Sequence, residues 1–195
     1  AADWDDYLKR EHRRPENLSP AERQSLLARP PAHNWSHALP LTTDFRSRTV
    51  EFPVPTSLKP GFYFLFASHR EDFAEGDNQL SLTDVWVSDL ALVLRNRSGS
   101  LEGFVLEAES GEPIQDARIQ AWHLDSNRNR VEIPRANTDS NGFFQLAAPQ
   151  DYGVLIKATA RGQSVATADE LHRWRVAEPE GPTTQTVFFT DRAIY

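Results

Sequence analysis

The stretch Ser110–Leu146, SGEPIQDARIQAWHLDSNRNRVEIPRANTDSNGFFQL, decides how the chain is read. Ser110-Gly111-Glu112-Pro113 is a turn signal. Ile114, Ala117, Ile119, Ala121 and Trp122 then supply a run of alternating character. Asp125 to Arg130 is polar and reads as a loop, and Thr138-Asp139-Ser140-Asn141-Gly142 as a second turn. Phe143 to Leu146 closes the stretch as an apolar strand. Strands bracketed by Gly-containing turns predict an antiparallel β-sandwich module. Nothing in the stretch is a catalytic motif.

The totals set outer bounds. With 195 residues the chain is long enough for one large domain or two small ones. It is 39% hydrophobic and 25% charged, so a core can form and wholesale disorder is not expected. A net charge of −7 opposes nucleic acid, whose binding relies on clustered Lys and Arg. No apolar run approaches the ~20 residues that span a bilayer. The absence of cysteine excludes a thiol nucleophile, a thiolate metal site and a disulfide framework in this sequence. There is no methionine either, even at position 1, which suggests a processed chain or a part of a longer one.

Outward from the opening stretch, residues 1–35 have helical character. Trp4, Tyr7 and Leu8 fall at helical spacing, with acidic residues first and basic ones later. Ser19-Pro20-Ala21-Glu22 is a helix start with a capping box, and Arg29-Pro30-Pro31 a stop. From Trp35 the period changes to that of strands: Ser36 to Thr43, Arg48 to Val54, Gly61 to Ser68 and Leu80 to Leu94. Phe62, Phe64 and Phe66 share one face of the third and Tyr63 and Leu65 the other, predicting a central strand covered on both sides. A phase shift near Ser88-Asp89 predicts a bend or bulge. The polar joint Asn96 to Ser100 is read as a module boundary. Beyond it the predicted strands are Glu102 to Ala108, Ala117 to His123, Arg130 to Ile133, Phe143 to Ala147, Tyr152 to Ala160 and Gln163 to Ala168. Val176 to Pro182 reads as a linker and Thr183 to Phe189 as one more strand.

Candidate sites are few. His33 and His37 are four apart, a ligand spacing on a helix, but they follow Pro30-Pro31 and enter a predicted strand. Asp139-Ser140-Asn141-Gly142 resembles half of a calcium loop, yet Phe143, Phe144 and Leu146 stand where the later bidentate Glu would be needed. Asp84, Asp89, Asp116, Asp139 and Asp191 lie near strand ends with no reason to pair across a cleft. Ser110-Gly111 has no evident base and there is no G-x-S-x-G elbow. Trp35, Trp174 and Tyr152 are candidates for an exposed aromatic platform of a ligand- or carbohydrate-binding module, whereas Trp86 and Trp122 sit in alternating strands and read as core. No catalytic, cofactor-binding or metal residue is assigned, and the expectation is a protein that is not an enzyme.

Four motifs, in order, carry a family resemblance. Leu58-Lys59-Pro60-Gly61-Phe62-Tyr63 and Val85-Trp86-Val87-Ser88-Asp89-Leu90 are the first two. Gly111-Glu112-Pro113-Ile114 with Thr138-Asp139 to Gly142-Phe143 is the third, and Thr190-Asp191-Arg192-Ala193-Ile194-Tyr195 the last. Together, over Leu58 to Tyr195, they resemble bacterial alpha-2-macroglobulins; residues 1–57 carry no match. The resemblance implies two consecutive antiparallel β-sandwich modules of macroglobulin or Ig-like type with a short helical N-terminal segment. The implied divisions are 1–35 helical, 36–97 macroglobulin-like, 98–175 Ig-like or macroglobulin sandwich, and 176–195 a linker and the first strand of a following domain. It also implies a non-catalytic scaffold within a protease-trapping inhibitor. Its partners would be the rest of a parent polypeptide and that parent's target proteases, in the periplasm or at the cell surface, with a lipid anchor in some members. The thioester of such traps needs a cysteine, which this sequence lacks.

Overall fold

Strand Gly153–Ala160, GVLIKATA, is apolar on both faces, and that decides what surrounds it. The computed structural model describes residues 4–5, 15–40, 44, 46, 49–53, 55–97, 100–127, 129–147, 153–168 and 170–172. They form ten strands: β1 (Gly61–Ser68), β2 (Leu80–Val87), β3 (Leu90–Arg97), β4 (Ser100–Glu107), β5 (Arg118–Leu124), β6 (Arg130–Asn137), β7 (Phe143–Leu146), β8 (Gly153–Ala160), β9 (Gln163–Ala166) and β10 (Leu171–His172). All pairings are antiparallel. One sheet runs β10-β8-β5-β6 with β9 also on β8; a second runs β3-β4-β7; β1 and β2 make a two-stranded sheet.

The first two sheets share one core. β5 supplies Ile119 and Ala121, β8 supplies Val154, Ile156 and Ala158, and β6 supplies Ile133. Facing them are Leu90 of β3, Leu101 and Val105 of β4, and Phe144 and Leu146 of β7. Each of the Val, Leu, Ile and Phe side chains contributes roughly 1.5–3 kcal/mol relative to exposure. Gly103 sits opposite Phe144 in the ladder. A Cβ there would fall 2.7 Å from the Phe144 ring and 2.6 Å from the Val93 carbonyl oxygen, so the bare backbone makes room for the ring.

Side chains fix the corners. Thr138 is buried, donates its hydroxyl to the Ile114 carbonyl at 2.6 Å and accepts from the Ala117 amide at 2.9 Å. That staples the entry to β5 onto the exit from β6. Asp139 Oδ1 accepts from the amides of Asn141 (2.8 Å) and Phe143 (2.9 Å), closing the turn into β7. β8 and β9 are joined by Arg161 (φ 51) and Gly162 (φ 74), two left-handed residues as in a type I′ hairpin. Among the described residues β6 pairs only with β5, and its register shifts opposite Gln120. Pro134 lies at this irregularity, where an edge strand tolerates a missing N–H. The strand therefore continues to Asn137 rather than ending at Ile133.

Ahead of the sheets stand a 3-10 turn (Pro15–Asn17) and α1 (Pro20–Leu27). The capping box forms as predicted: the Glu22 amide donates to Ser19 Oγ at 3.3 Å and the Ser19 amide to Glu22 Oε2 at 2.9 Å. Arg23 of α1 reaches the β1–β2 loop at Glu75, 2.8 Å away.

Several expectations are corrected. Residues 36–40 and 49–53, the described parts of two predicted strands, join no ladder and are exposed. Pro40, Pro53 and Pro55 deprive this region of ladder donors. Among the described residues, 36–87 therefore contributes a two-stranded sheet and not a sandwich of its own. Among the described residues the two faces of β1 are covered unequally: Phe62 is buried, while on the other face Tyr63 is partly buried and Leu65 exposed. The phase shift at Ser88-Asp89 is a transfer between sheets, from β2 to β3. The expected boundary between 97 and 98 falls between two strands paired over eight residues each, Arg97 opposite Ser100. A short polar joint with one Gly serves a hairpin as readily as a linker, and Leu90 of β3 belongs to the common core. The predicted strand Thr183 to Phe189 and the linker before it lie outside the described residues.

The two turn glycines differ in a measurable way. Gly142 has φ +71, and a Cβ would lie 2.6 Å from the Val105 carbonyl oxygen, whereas Gly162 has φ +74 with open space around it. Gly162→Ala is expected to cost about 1 kcal/mol, from backbone strain alone. Gly142→Ala should cost at least ~2 kcal/mol, because a clash adds to the strain. Thermal or urea unfolding of the two variants side by side measures the difference; equal losses would mean the β6–β7 corner yields freely.

Candidate functional site

The outer face of the five-stranded sheet, opposite the common core, is also apolar. Trp122 of β5 and Leu155 of β8 are ladder partners on it. β1 and β2 cover it with Phe62, Phe64, Leu82 and Trp86, and Leu18 and Trp4 complete the cluster. Trp4 is 7% exposed and lies between two other indoles, 5.9 Å from Trp86 and 5.7 Å from Trp122, both tilted. Tilted contacts at these distances suit the ring quadrupoles. Phe62 adds a tilted contact to Trp86 at 5.2 Å.

Beside this cluster opens a cleft of about 430 Å³, walled by Trp4, Asp5, Phe62, Trp86, Lys157 and Gln163 among others. Its polar groups are largely engaged with one another. Lys157 Nζ donates to Asp5 Oδ1 at 2.6 Å. Gln163 Nε2 donates to Asp89 Oδ2 at 2.7 Å, and its Oε1 accepts from the Asp89 amide at 2.9 Å, tying the β8–β9 turn to the β2–β3 transfer. Trp86 Nε1 is enclosed without a hydrogen-bond partner among the described residues, at the wall of the cleft.

Two of the carboxylates weighed in the sequence, Asp89 and Asp139, serve local structure. Asp89 holds Gln163, Asp139 closes its turn, and Asp116 takes φ 59 with its amide donated to the Thr138 carbonyl at 3.0 Å. Asp84 lies on β2 opposite Phe64, and Asp191 is outside the described residues. Ser110 donates to the Glu107 carboxylate and accepts from the Glu112 amide within an exposed turn. Asp125 accepts from the Asn129 and Asn127 amides, and the Asn129 amide above all lowers its pKa. His33 and His37 are exposed and face different neighbours: His33 lies against Trp35 and His37 against Phe52. Among the described residues no three His, Asp or Glu side chains are grouped to hold a metal ion. Trp35 is exposed, whereas Trp86 and Trp122 are partly buried, so the separation of these rings follows the sequence reading. Trp174 and Tyr152 lie outside the described residues.

Lys157 was not singled out by sequence. Its one signal is a lone charge inside the apolar run of β8, and its partner is 152 residues away. Arg130, nine-tenths buried, is similar: Nη2 donates to Glu170 Oε1 at 2.6 Å, while Nε and Nη1 are enclosed without partners among the described residues. Among the described residues no helix is long and apolar enough to cross a membrane. No protein-family model matches the chain, and no curated protein matches it.

Trp122→Ala should destabilise the protein by roughly 3 kcal/mol, whereas Trp35→Ala should stay within about 0.5 kcal/mol of the parent. Chemical denaturation of both variants checks this, and equal effects would move Trp122 out of the cluster. The β1–β2 loop offers a titration. Arg70 donates from Nε and Nη2 to both oxygens of Asp72, and this holds the Asp72 pKa down at about 2, from 3.8. A depressed folded-state pKa gives stabilisation that is present above the ordinary value and lost as the pH falls through about 2. Carboxyl NMR titration should place the Asp72 midpoint there, and Arg70→Ala should return it towards 3.8.

Proposed function

We propose that the chain is a non-catalytic scaffold segment of a bacterial alpha-2-macroglobulin-like inhibitor that traps proteases. The observation that carries this reading is the order of its four motifs, three of which fall at structural junctions. Pro60-Gly61 opens β1, Ser88-Asp89 passes the chain from one sheet to another, and Gly111 and Gly142 turn corners of the shared core. The fourth, Thr190 to Tyr195, lies outside the described residues. The chemistry of the side chains agrees: of the residues weighed as catalytic candidates, Asp89 and Asp139 and the serine Ser110 are engaged in turns and in a link between elements. On this reading the two core sheets are a macroglobulin or Ig-like sandwich, and the partners are the rest of the parent polypeptide and its target proteases. The setting is periplasmic or at the cell surface.

The reading frame beyond Tyr195 tests it directly. A long continuation that begins with Pro-Gly is expected, and the full-length product should retain an added endoprotease on size exclusion after being cleaved. A stop codon, or a continuation without further β modules, overturns the proposal. One observation favours a second reading, a carbohydrate-binding surface. Trp35 is 45% exposed and shares its segment with the exposed Leu39. Binding on a glycan array that disappears in Trp35→Ala would put this reading first.

A further inference from the structure

Trp4 and Asp5 reach the outer face of the five-stranded sheet from the far end of the sequence, and two adjacent residues make two kinds of contact there. The Trp4 indole enters between Trp86, which belongs to the β1–β2 sheet, and Trp122, which belongs to the five-stranded sheet. The Asp5 carboxylate accepts from Lys157, whose ammonium also lies 5.5 Å from the centre of the Trp4 ring. Lys157 is 12% exposed and Asp5 58%. The ammonium is thus part of the socket, and the carboxylate is supplied from the solvent side. An enclosed cation draws on such a counter-charge and on the face of an indole. The open cleft borders both residues, so the occupant can leave and return without crossing the common core. That core shares no residue with the tryptophan cluster.

We propose that Trp86, Trp122 and Lys157 form a recognition socket for a tryptophan–acid dipeptide. Trp4-Asp5 occupies it in cis, and the same sequence can fill it when supplied in trans. Because one wall comes from each sheet, the occupied socket is a latch that holds β1 and β2 against β5 and β8. Emptying it loosens the hairpin and leaves the common core folded. Trp86 Nε1, enclosed without a partner among the described residues, stands at this wall.

The test uses the full chain carrying Trp4→Ala and Asp5→Ala, titrated with a labelled peptide of residues Ala1–Arg10. Saturable binding is expected, weakened at least tenfold when the peptide carries Trp4→Ala or the protein also carries Lys157→Glu. Hydrogen exchange in β1 and β2 should quicken in the double variant and slow again with peptide, while exchange in β4 and β7 stays unchanged. A second pair of variants guards against a general folding defect. Asp5→Lys alone should quicken hairpin exchange, and Asp5→Lys combined with Lys157→Asp should restore it. Absence of saturable binding, binding indifferent to Lys157→Glu, or a charge swap that restores nothing overturns the proposal.

Discussion

A sheet that is apolar on both faces has to be covered twice, and most of this structure follows from that requirement. β8 turns Val154, Ile156 and Ala158 one way and Leu155 the other; β5 does the same with Ile119 and Ala121 against Trp122. The β3-β4-β7 sheet takes the first face. The second falls to smaller pieces: a two-stranded hairpin, Leu18 from a 3-10 turn, and Trp4. The first cover is a three-stranded sheet with its own ladders, packed on the common core and joined to it by stapled corners. Among the described residues the second is held by aromatic and aliphatic contacts, the Lys157–Asp5 and Arg23–Glu75 ion pairs and the Gln163–Asp89 link, so the two faces are closed by different means.

The sequence showed local signals well and partnerships poorly. The capping box at Ser19 and Glu22, the turn at Asp139 and the strand Gly61–Ser68 were all legible, because each depends on residues a few positions apart. The alternation in Phe62 to Phe66 showed two apolar faces but not that the described residues would bury one more than the other, since coverage comes from elsewhere in the chain. The break in phase at Ser88-Asp89 was visible; that it marks a change of sheet was not, because a bulge gives the same pattern. Residues 36–40 and 49–53 have strand-like alternation without a ladder, and alternation alone does not supply hydrogen-bond partners. Gly103 and Lys157 were missed for the same reason: the Phe144 ring over one and the Asp5 carboxylate beside the other are distant in sequence.

The carboxylates show how structural duties account for residues that look chemical. Asp125 and Asp139 each gather two backbone amides, and Asp89 and Gln163 form a two-bond link between a hairpin turn and a sheet-to-sheet transfer. A carboxylate holding two amides is lodged in its own loop and is poorly placed to approach a second carboxylate across a cleft. Asp89, Asp125 and Asp139 thus fix turns and one link between elements.

The passage from β2 to β3 has a kinetic consequence. Only Ser88 and Asp89 separate the end of the hairpin from the edge of the common core, a span of about 10 Å at full extension. A hairpin that leaves the outer face therefore stays within a small volume around it. Its return is an intramolecular encounter at high effective concentration, set by two residues of tether and independent of protein concentration. Release and recapture of this cover would be a local swing about Ser88-Asp89, rapid compared with any event that required the two halves to find each other through solution.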